Sequence, residues 1–163
     1  IAKTPAALNS MGTSVSTLSK LMGGNTTAAT EVLTTAMNQF NVSTDDPIQG
    51  AAEMARMMNV MAAGAQAGSG ELPQIKAALE NAGMAAKAAG ISFEETNAAI
   101  QVLDKSGKKG SEGGIALRNV LATIGEGRFM AKESRTALAA AGISVEQLAR
   151  KDLTLAERLQ MLQ

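Results

Sequence analysis

The stretch Ala88–Arg118, AAGISFEETNAAIQVLDKSGKKGSEGGIALR, decides the fold of this chain. Ser92 and Glu95 have the spacing of a helix capping box, and Ile91 stands where a hydrophobic staple residue belongs. The glycine-rich run Gly107–Gly114 then interrupts the pattern, and apolar residues resume at helical spacing after it. The stretch therefore predicts a capped helix, a glycine-rich break and a second helix in direct succession.

Similar start signals occur along the rest of the chain. The block AAGIS recurs at Ala140–Ser144, and Thr4-Pro5 and Asp46-Pro47 each pair a capping side chain with a proline. Proline in the first helical turn loses no hydrogen bond. Apolar residues at steps of three and four predict helices near 5–22, 26–40, 47–67, 71–89, 92–104, 115–124 and 132–141. Short helices should follow Ser144 and Thr154, since Ser144–Gln147 and Thr154–Glu157 also have capping-box spacing. We expect an all-α, compact multi-helix bundle of about seven to nine helices with no sheet.

The same spacing predicts which side chains face inward. It places Leu8 on the inner face of the first helix, Ile48 on that of the third, and Ile115 and Val120 on that of the sixth. Residues 1–44 form an N-terminal helical pair, which Gly23-Gly24 would allow either to pack or to splay away. Residues 45–163 form the main helical domain. Because the chain starts without Met and stops inside a helical pattern, we expect a fragment of a longer polypeptide.

Composition excludes several classes of protein. Aromatic residues make up only 2% of the chain, which disfavours a β-sandwich or barrel. Lys+Arg 15 against Asp+Glu 15 gives no cationic excess for nonspecific binding to nucleic acid. No apolar run approaches the roughly 18–20 residues that a membrane span needs. The start of the chain also lacks the charged and apolar regions of a signal peptide.

The sequence predicts no catalytic, cofactor-binding or metal-ligating residue. The chain has no His and no Cys, which excludes Ser–His and Cys–His nucleophilic systems and thiolate metal sites. Glu133 could be imagined as the acid of a lytic, glycan-cleaving module, but the chain lacks the Tyr or Trp that stack on sugars. An ordinary acid at a helix N-terminus is the favoured interpretation of Glu133. We expect a protein that is not an enzyme.

Glycines mark the predicted turn within Ala88–Arg118. The run GKKGSEGG at Gly107–Gly114 resembles a phosphate loop only superficially, because the spacing and the preceding strand of a P-loop are missing. Tight turns and close packing between the fifth and sixth helices explain it better. The predicted structural-turn residues are Gly90, Gly107, Gly110, Gly113 and Gly114.

A methionine stripe and a group of basic residues are the remaining candidates for binding. Met54, Met57, Met58 and Met61 lie at i, i+3, i+4 and i+7 of the third helix. Core packing is the favoured interpretation, but the adaptable stripe could also be a protein-contact face, with Met57 at its edge. Four basic residues could form a patch, but without interleaved aromatics we interpret them as a solvated face; they are Arg118, Arg128, Lys132 and Arg135.

The order of these features resembles the helical core segment of phage tail tape-measure proteins. An alanine-rich helix ends in glycine, a hydrophobic–Ser cap opens an acidic helix, and a glycine-rich turn leads to an aliphatic–x–Leu–Arg helix. Those features are Ala85–Gly90, Ile91–Glu95, Ala98–Leu103, Gly107–Gly114 and Ile115–Leu121. Similar helices stand upstream and downstream, at Ala51–Ala67, Leu138–Ile143 and Leu153–Leu162, so the likeness runs from about Phe40 to Leu162.

The resemblance implies a structural role in a virion tail that is assembled in the host bacterial cytoplasm. It implies contacts with tube, chaperone and initiator or baseplate proteins and with other copies of the chain, and a part in tail-length determination. It implies no cofactor, no small-molecule substrate and no specific nucleic acid. The family's rod-forming coiled coil and membrane-active segments are absent from these residues. The alternative is a non-phage helical interaction module that forms a low-order oligomer.

Overall fold

The computed structural model describes residues 4–67, 70–125 and 130–163. These residues form nine α-helices and no strand, so the predicted all-α bundle is confirmed over the described ranges. The helices are α1 (Pro5–Leu21), α2 (Thr26–Gln39), α3 (Pro47–Ala67), α4 (Leu72–Ala88), α5 (Phe93–Lys105), α6 (Gly110–Gly125), α7 (Lys132–Ala140), α8 (Val145–Leu148) and α9 (Leu155–Gln160).

The helix starts follow from their caps. Thr4 accepts a hydrogen bond from the Ala7 N–H at 3.2 Å. The predicted capping boxes form at α5 and α9, where each capping hydroxyl and a glutamate three residues later satisfy backbone donors reciprocally. At α8 only half of the predicted box forms: Ser144 accepts from the Gln147 N–H, while its hydroxyl lies 3.0 Å from the Glu146 carboxylate.

Helix α4 is the centre of the bundle. It packs against α2, α5 and α6, while α1 lies along α3 and α3 also contacts α5. One hydrophobic cluster runs from Ala7 in α1 to Leu155 in α9. The N-terminal helices therefore pack on the other helices rather than splaying away, and the domain boundary at residues 44–45 stays a prediction.

Two aromatic rings join the N-terminal helices to α5. Phe40, directly after α2, and Phe93, the first residue of α5, meet edge to face with ring centroids 5.2 Å apart. Both side chains are buried. In a core built mostly of Ala, Met and Leu, this pair forms a defined contact between the end of α2 and the start of α5.

For four residues, the prediction that the side chain faces inward is wrong. Leu8, Ile48, Ile115 and Val120 are 61%, 68%, 40% and 43% exposed. Leu8 and Ile48 lie in the first turn of their helices. In α6 the inner stripe is instead Gly113, Gly114, Leu117, Leu121 and Ile124. Apolar residues spaced three and four apart cover a wider arc of the helix surface than a neighbouring helix contacts. The spacing alone therefore does not show where the buried face of a helix ends.

Candidate contact surfaces

The methionine stripe of α3 lies in the core. The exposed fractions are 7% for Met54, 0% for Met57, 9% for Met58 and 0% for Met61. Helix α3 is packed by α1, α2 and α5, which cover this face. The expectation that Met57 lies at the edge of the stripe is wrong, because neighbouring helices enclose it completely. The predicted protein contact through these side chains stays a prediction, and it would require α3 to separate from its neighbours.

The predicted turn is shorter than the glycine-rich run. Helix α6 begins at Gly110, so Gly113 and Gly114 lie inside that helix rather than in the turn. Gly90, Gly107 and Gly110 have φ values of +76°, +92° and +53°. Residues with a Cβ rarely adopt positive φ values, so glycine is favoured at these positions.

A Cβ on Gly113 would lie 2.5 Å from the Lys108 carbonyl oxygen. One on Gly114 would lie 2.5 Å from the carbonyl oxygen of Ala78. Gly114 therefore allows α6 to pack directly against the backbone of α4, a contact that the sequence did not predict.

An apolar groove opens between α5, α6 and α9, which we call the α5–α6–α9 groove. Its volume is about 440 Å³. Three branched side chains on its rim, Val102, Val120 and Leu159, are 66%, 43% and 41% exposed. The lining is otherwise mostly small and apolar: Ala98, Ala99, Leu103, Ala116, Leu117, Leu155 and Ala156, with Glu95 at one end. It is a candidate helix-binding surface, since exposed contiguous apolar patches mark interaction sites.

Sequence reasoning missed this groove. The available signal was a second apolar stripe beside the core stripe, in which Ala98 precedes Val102 and Ala116 precedes Val120 by one helical turn. Spacing could not show that α9 returns to the same edge of the bundle to close the groove.

A second, polar cleft lies where the α2–α3 connection meets the start of α5. Arg56 donates to Glu53 at 2.9 Å and also pairs with Glu94 on α5. Partial burial raises the pKa of Glu94, but the Arg56 hydrogen bond and backbone hydrogen bonding outweigh it, and the net pKa is lowered. The three side chains are over 40% exposed, so each pair contributes little stability. We interpret the cluster as a link between α3 and α5.

The other candidate residues that the structure describes do not form a catalytic or binding site. Glu133 is exposed in the first turn of α7, where an ordinary helix N-terminal acid is expected. Arg118, Lys132 and Arg135 are exposed, and Arg128 lies outside the described residues. Within the described ranges, no cluster of three or more acidic residues could hold a metal ion. None of the helices described is both long and apolar enough to cross a membrane.

Comparison with known proteins gives one match. A family model described as "Phage-related minor tail protein" matches residues 2–163. No curated protein and no solved structure matches this chain. The family match spans nearly the whole sequence, including both the N-terminal helical pair and the groove helices.

Proposed function

Because this chain belongs to the family of phage-related minor tail proteins, we propose that it is a structural and assembly segment of a phage or prophage tail tape-measure protein. The observation that carries the proposal is the family match over residues 2–163. The narrower tape-measure role is supported by the order of helices, caps and glycine turn between Ala51 and Leu162. The family favours this role over a non-phage interaction module.

The fold indicates how such a segment would act. A ruler needs an extended chain, in which an unbroken helix rises about 1.5 Å per residue. Here α1 to α6 fold back on one another around α4. We therefore propose that this segment contributes to tail-length determination by making assembly contacts within the virion tail, formed in the bacterial cytoplasm. Its partners would be tube, chaperone and initiator or baseplate proteins and other copies of the chain.

The α5–α6–α9 groove is the surface that we assign to contact between copies. It is lined by the small side chains of Ala98, Ala116 and Ala156 and by the exposed branched side chains of Val102 and Val120. Two copies related by a two-fold axis could each pack their branched side chains between the alanines of the other copy. A two-fold interface requires this kind of self-complementarity.

Sedimentation of the purified chain over a range of concentrations tests this contact. We expect a reversible dimer that Val102→Glu weakens at least about tenfold, because a carboxylate would be desolvated in an apolar interface. Ile48→Glu is the matched control, since Ile48 is as exposed as Val102 but lies on α3. A wild-type chain that stays monomeric, or equal losses in both variants, would overturn contact through the groove.

The same two variants test the role in the tail. In phage that carry Val102→Glu, we expect fewer complete tails in electron micrographs, while Ile48→Glu phage should assemble normally. If Val102→Glu abolishes the dimer but leaves tails normal in number and length, the groove has no part in tail assembly.

A further inference from the structure

The α5–α6–α9 groove has an acidic end. Glu94 and Glu95 lie in the first turn of α5. Glu157 lies in the first turn of α9, which begins beside Glu95. The Glu94 side chain stays nearly half exposed although it pairs with Arg56 of α3, so its carboxylate can contact a further cation. Three carboxylates therefore stand at the end of the groove where α5 and α9 begin.

The opposite end of the α5–α6–α9 groove is basic. Lys105 lies in the last turn of α5, and Lys108 and Lys109 follow it in the connection to α6. These three residues are exposed, whereas Asp104 beside them is buried. Lys108 pairs with Glu112 at 2.7 Å. Among the residues that the structure describes, neither Lys105 nor Lys109 forms an ion pair. This end therefore offers two ammonium groups to a carboxylate from outside the chain.

Exposed residues of α5 connect the two ends of the groove in a self-complementary order. Glu94, Ala98, Val102 and Lys105 are all exposed and follow one another along one side of the helix, which we call the outer stripe of α5. Steps of three and four residues keep them on that side. When the direction of the stripe is reversed about Ile100, Lys105 takes the place of Glu94 and Val102 takes that of Ala98. In two stripes that run in opposite directions, an acid therefore faces a base and a larger side chain faces a smaller one.

We infer that two copies meet at the α5–α6–α9 groove with their α5 helices antiparallel, so that Glu94 of each copy pairs with Lys105 of the other. This inference rests on the contact between copies proposed above, and it assigns the orientation and the charged contacts of that interface. The acidic end of each groove then faces the basic end of the other copy. With parallel α5 helices, acidic ends would face each other and so would basic ends, which is unfavourable.

The length of the outer stripe suits two separate ion pairs around an apolar centre. Glu94 and Lys105 are separated by about 16 Å along the axis of α5, at about 1.5 Å per residue. Each ion pair between the copies would therefore lie about 8 Å from the two-fold axis, with Ala98 and Val102 between the two pairs. The apolar side chains would supply most of the affinity, while charges at the rim select the orientation. Antiparallel helices also place the partial positive end of one α5 beside the partial negative end of the other.

Charge reversal, measured by sedimentation of the purified chain, tests the orientation. Lys105→Glu and Glu94→Lys should each weaken the dimer about tenfold, because each places like charges opposite each other in an antiparallel contact. The double variant should recover most of the lost affinity, since both ion pairs form again with their charges exchanged. In a parallel contact each of these residues would face its own counterpart, so the double variant would have no advantage over the single variants.

Two charge reversals outside the groove serve as matched controls. Glu53→Lys removes the other carboxylate partner of Arg56, which lies on α3. Lys132→Glu reverses an exposed lysine on α7. Both control variants should keep the dimer affinity within about twofold of that of the wild type. Circular dichroism of each variant checks that its helix content is unchanged.

The outcomes separate the orientation of the copies from the contact itself. A dimer that Val102→Glu weakens, but that both single charge reversals leave unchanged, would contradict the antiparallel orientation and leave the contact through the groove standing. The same conclusion would follow if the double variant recovered no affinity, or if the control variants weakened the dimer as much as Lys105→Glu does. A wild-type chain that stays monomeric would overturn both the contact and the orientation.

Discussion

The Glu95 carboxylate accepts a hydrogen bond from the backbone N–H of Leu155, 60 residues later, at 2.7 Å. Its other oxygen accepts from the Ser92 backbone N–H at 3.2 Å and lies 3.0 Å from the Ser92 hydroxyl. One side chain therefore closes the capping box of α5 and satisfies a free donor at the N-terminus of α9. This relationship positions α9 on α5 and sets the shape of the α5–α6–α9 groove.

Replacing Glu95 tests that double role. We expect Glu95→Ala to lower the free energy of unfolding by about 1–3 kcal/mol, because two helix N-termini lose an acceptor. Glu157→Ala is the control, since Glu157 closes only the box of α9, and its loss should be about 0.5–1 kcal/mol. Urea denaturation measures both values. Equal losses would show that the contact with Leu155 contributes nothing.

The close approach of α6 to α4 predicts opposite effects at two helical glycines. Gly114→Ala should destabilise the fold by about 1–3 kcal/mol, because its Cβ would meet the backbone of Ala78. Gly12 lies within α1, with nothing within 4 Å of an added Cβ. Gly12→Ala should therefore stabilise by about 0.5–1 kcal/mol through helix propensity. Thermal unfolding of both variants would contradict this packing if Gly114→Ala were neutral or stabilising.

Burial of the methionine stripe predicts a stability defect rather than a binding defect. Met57→Ala should cost about 2–5 kcal/mol, since a fully buried side chain is truncated. Met84, which is 71% exposed on α4, provides the control. Met84→Ala should change the stability by no more than about 0.5 kcal/mol. If chemical denaturation gives Met57→Ala the stability of the wild type, the stripe is not part of the core.

The Arg56–Glu94 pair predicts a dependence of stability on pH. The pKa of Glu94 is lower in the folded chain than its usual value. Its stabilising contribution is therefore complete above about pH 4.3, the pKa of an unperturbed glutamate, and is lost as the pH falls through the lower folded pKa. Because both side chains are over 40% exposed, the effect should be below about 1 kcal/mol.

Urea midpoints measured between neutral and acid pH check this prediction. Glu94→Gln and Arg56→Gln should each remove the same part of the stability loss that occurs on acidification. The double variant should remove little more of it than either single variant. An unchanged acid slope in both single variants would contradict the pair.

The sequence predicted most helix ends well because they are locally determined, but it placed the start of α6 near residue 115 rather than at Gly110. Thr4, Ser92 and Thr154 each cap the helix that follows them, as local spacing predicts. The complete range of α3 was also predicted, since Pro47 marks its start and glycine follows its end. Those features depend on residues within one helical turn, so they can be recognised without knowledge of the tertiary fold.

The candidate surfaces depend on contacts that local spacing does not specify. The bond from Arg158 to Ala89 joins residues 69 positions apart, and nothing in the sequence around Arg158 predicts its burial. Val120 looked like a core residue because its spacing fits the apolar pattern of α6, yet it lies on the groove rim. Only the arrangement of α4, α5 and α9 distinguishes the core face of α6 from the face that lines the groove.

Electron microscopy of tails from phage lacking Ala51–Ala141 tests the central claim most directly. The deletion is made in frame in the gene that encodes this chain. A folded segment that makes assembly contacts predicts that complete tails are missing. Tails that shorten by about 1.5 Å for each residue removed would mean that the segment is an extended ruler, which contradicts the compact bundle. Normal infectious tails of unchanged length would contradict a role in tail assembly.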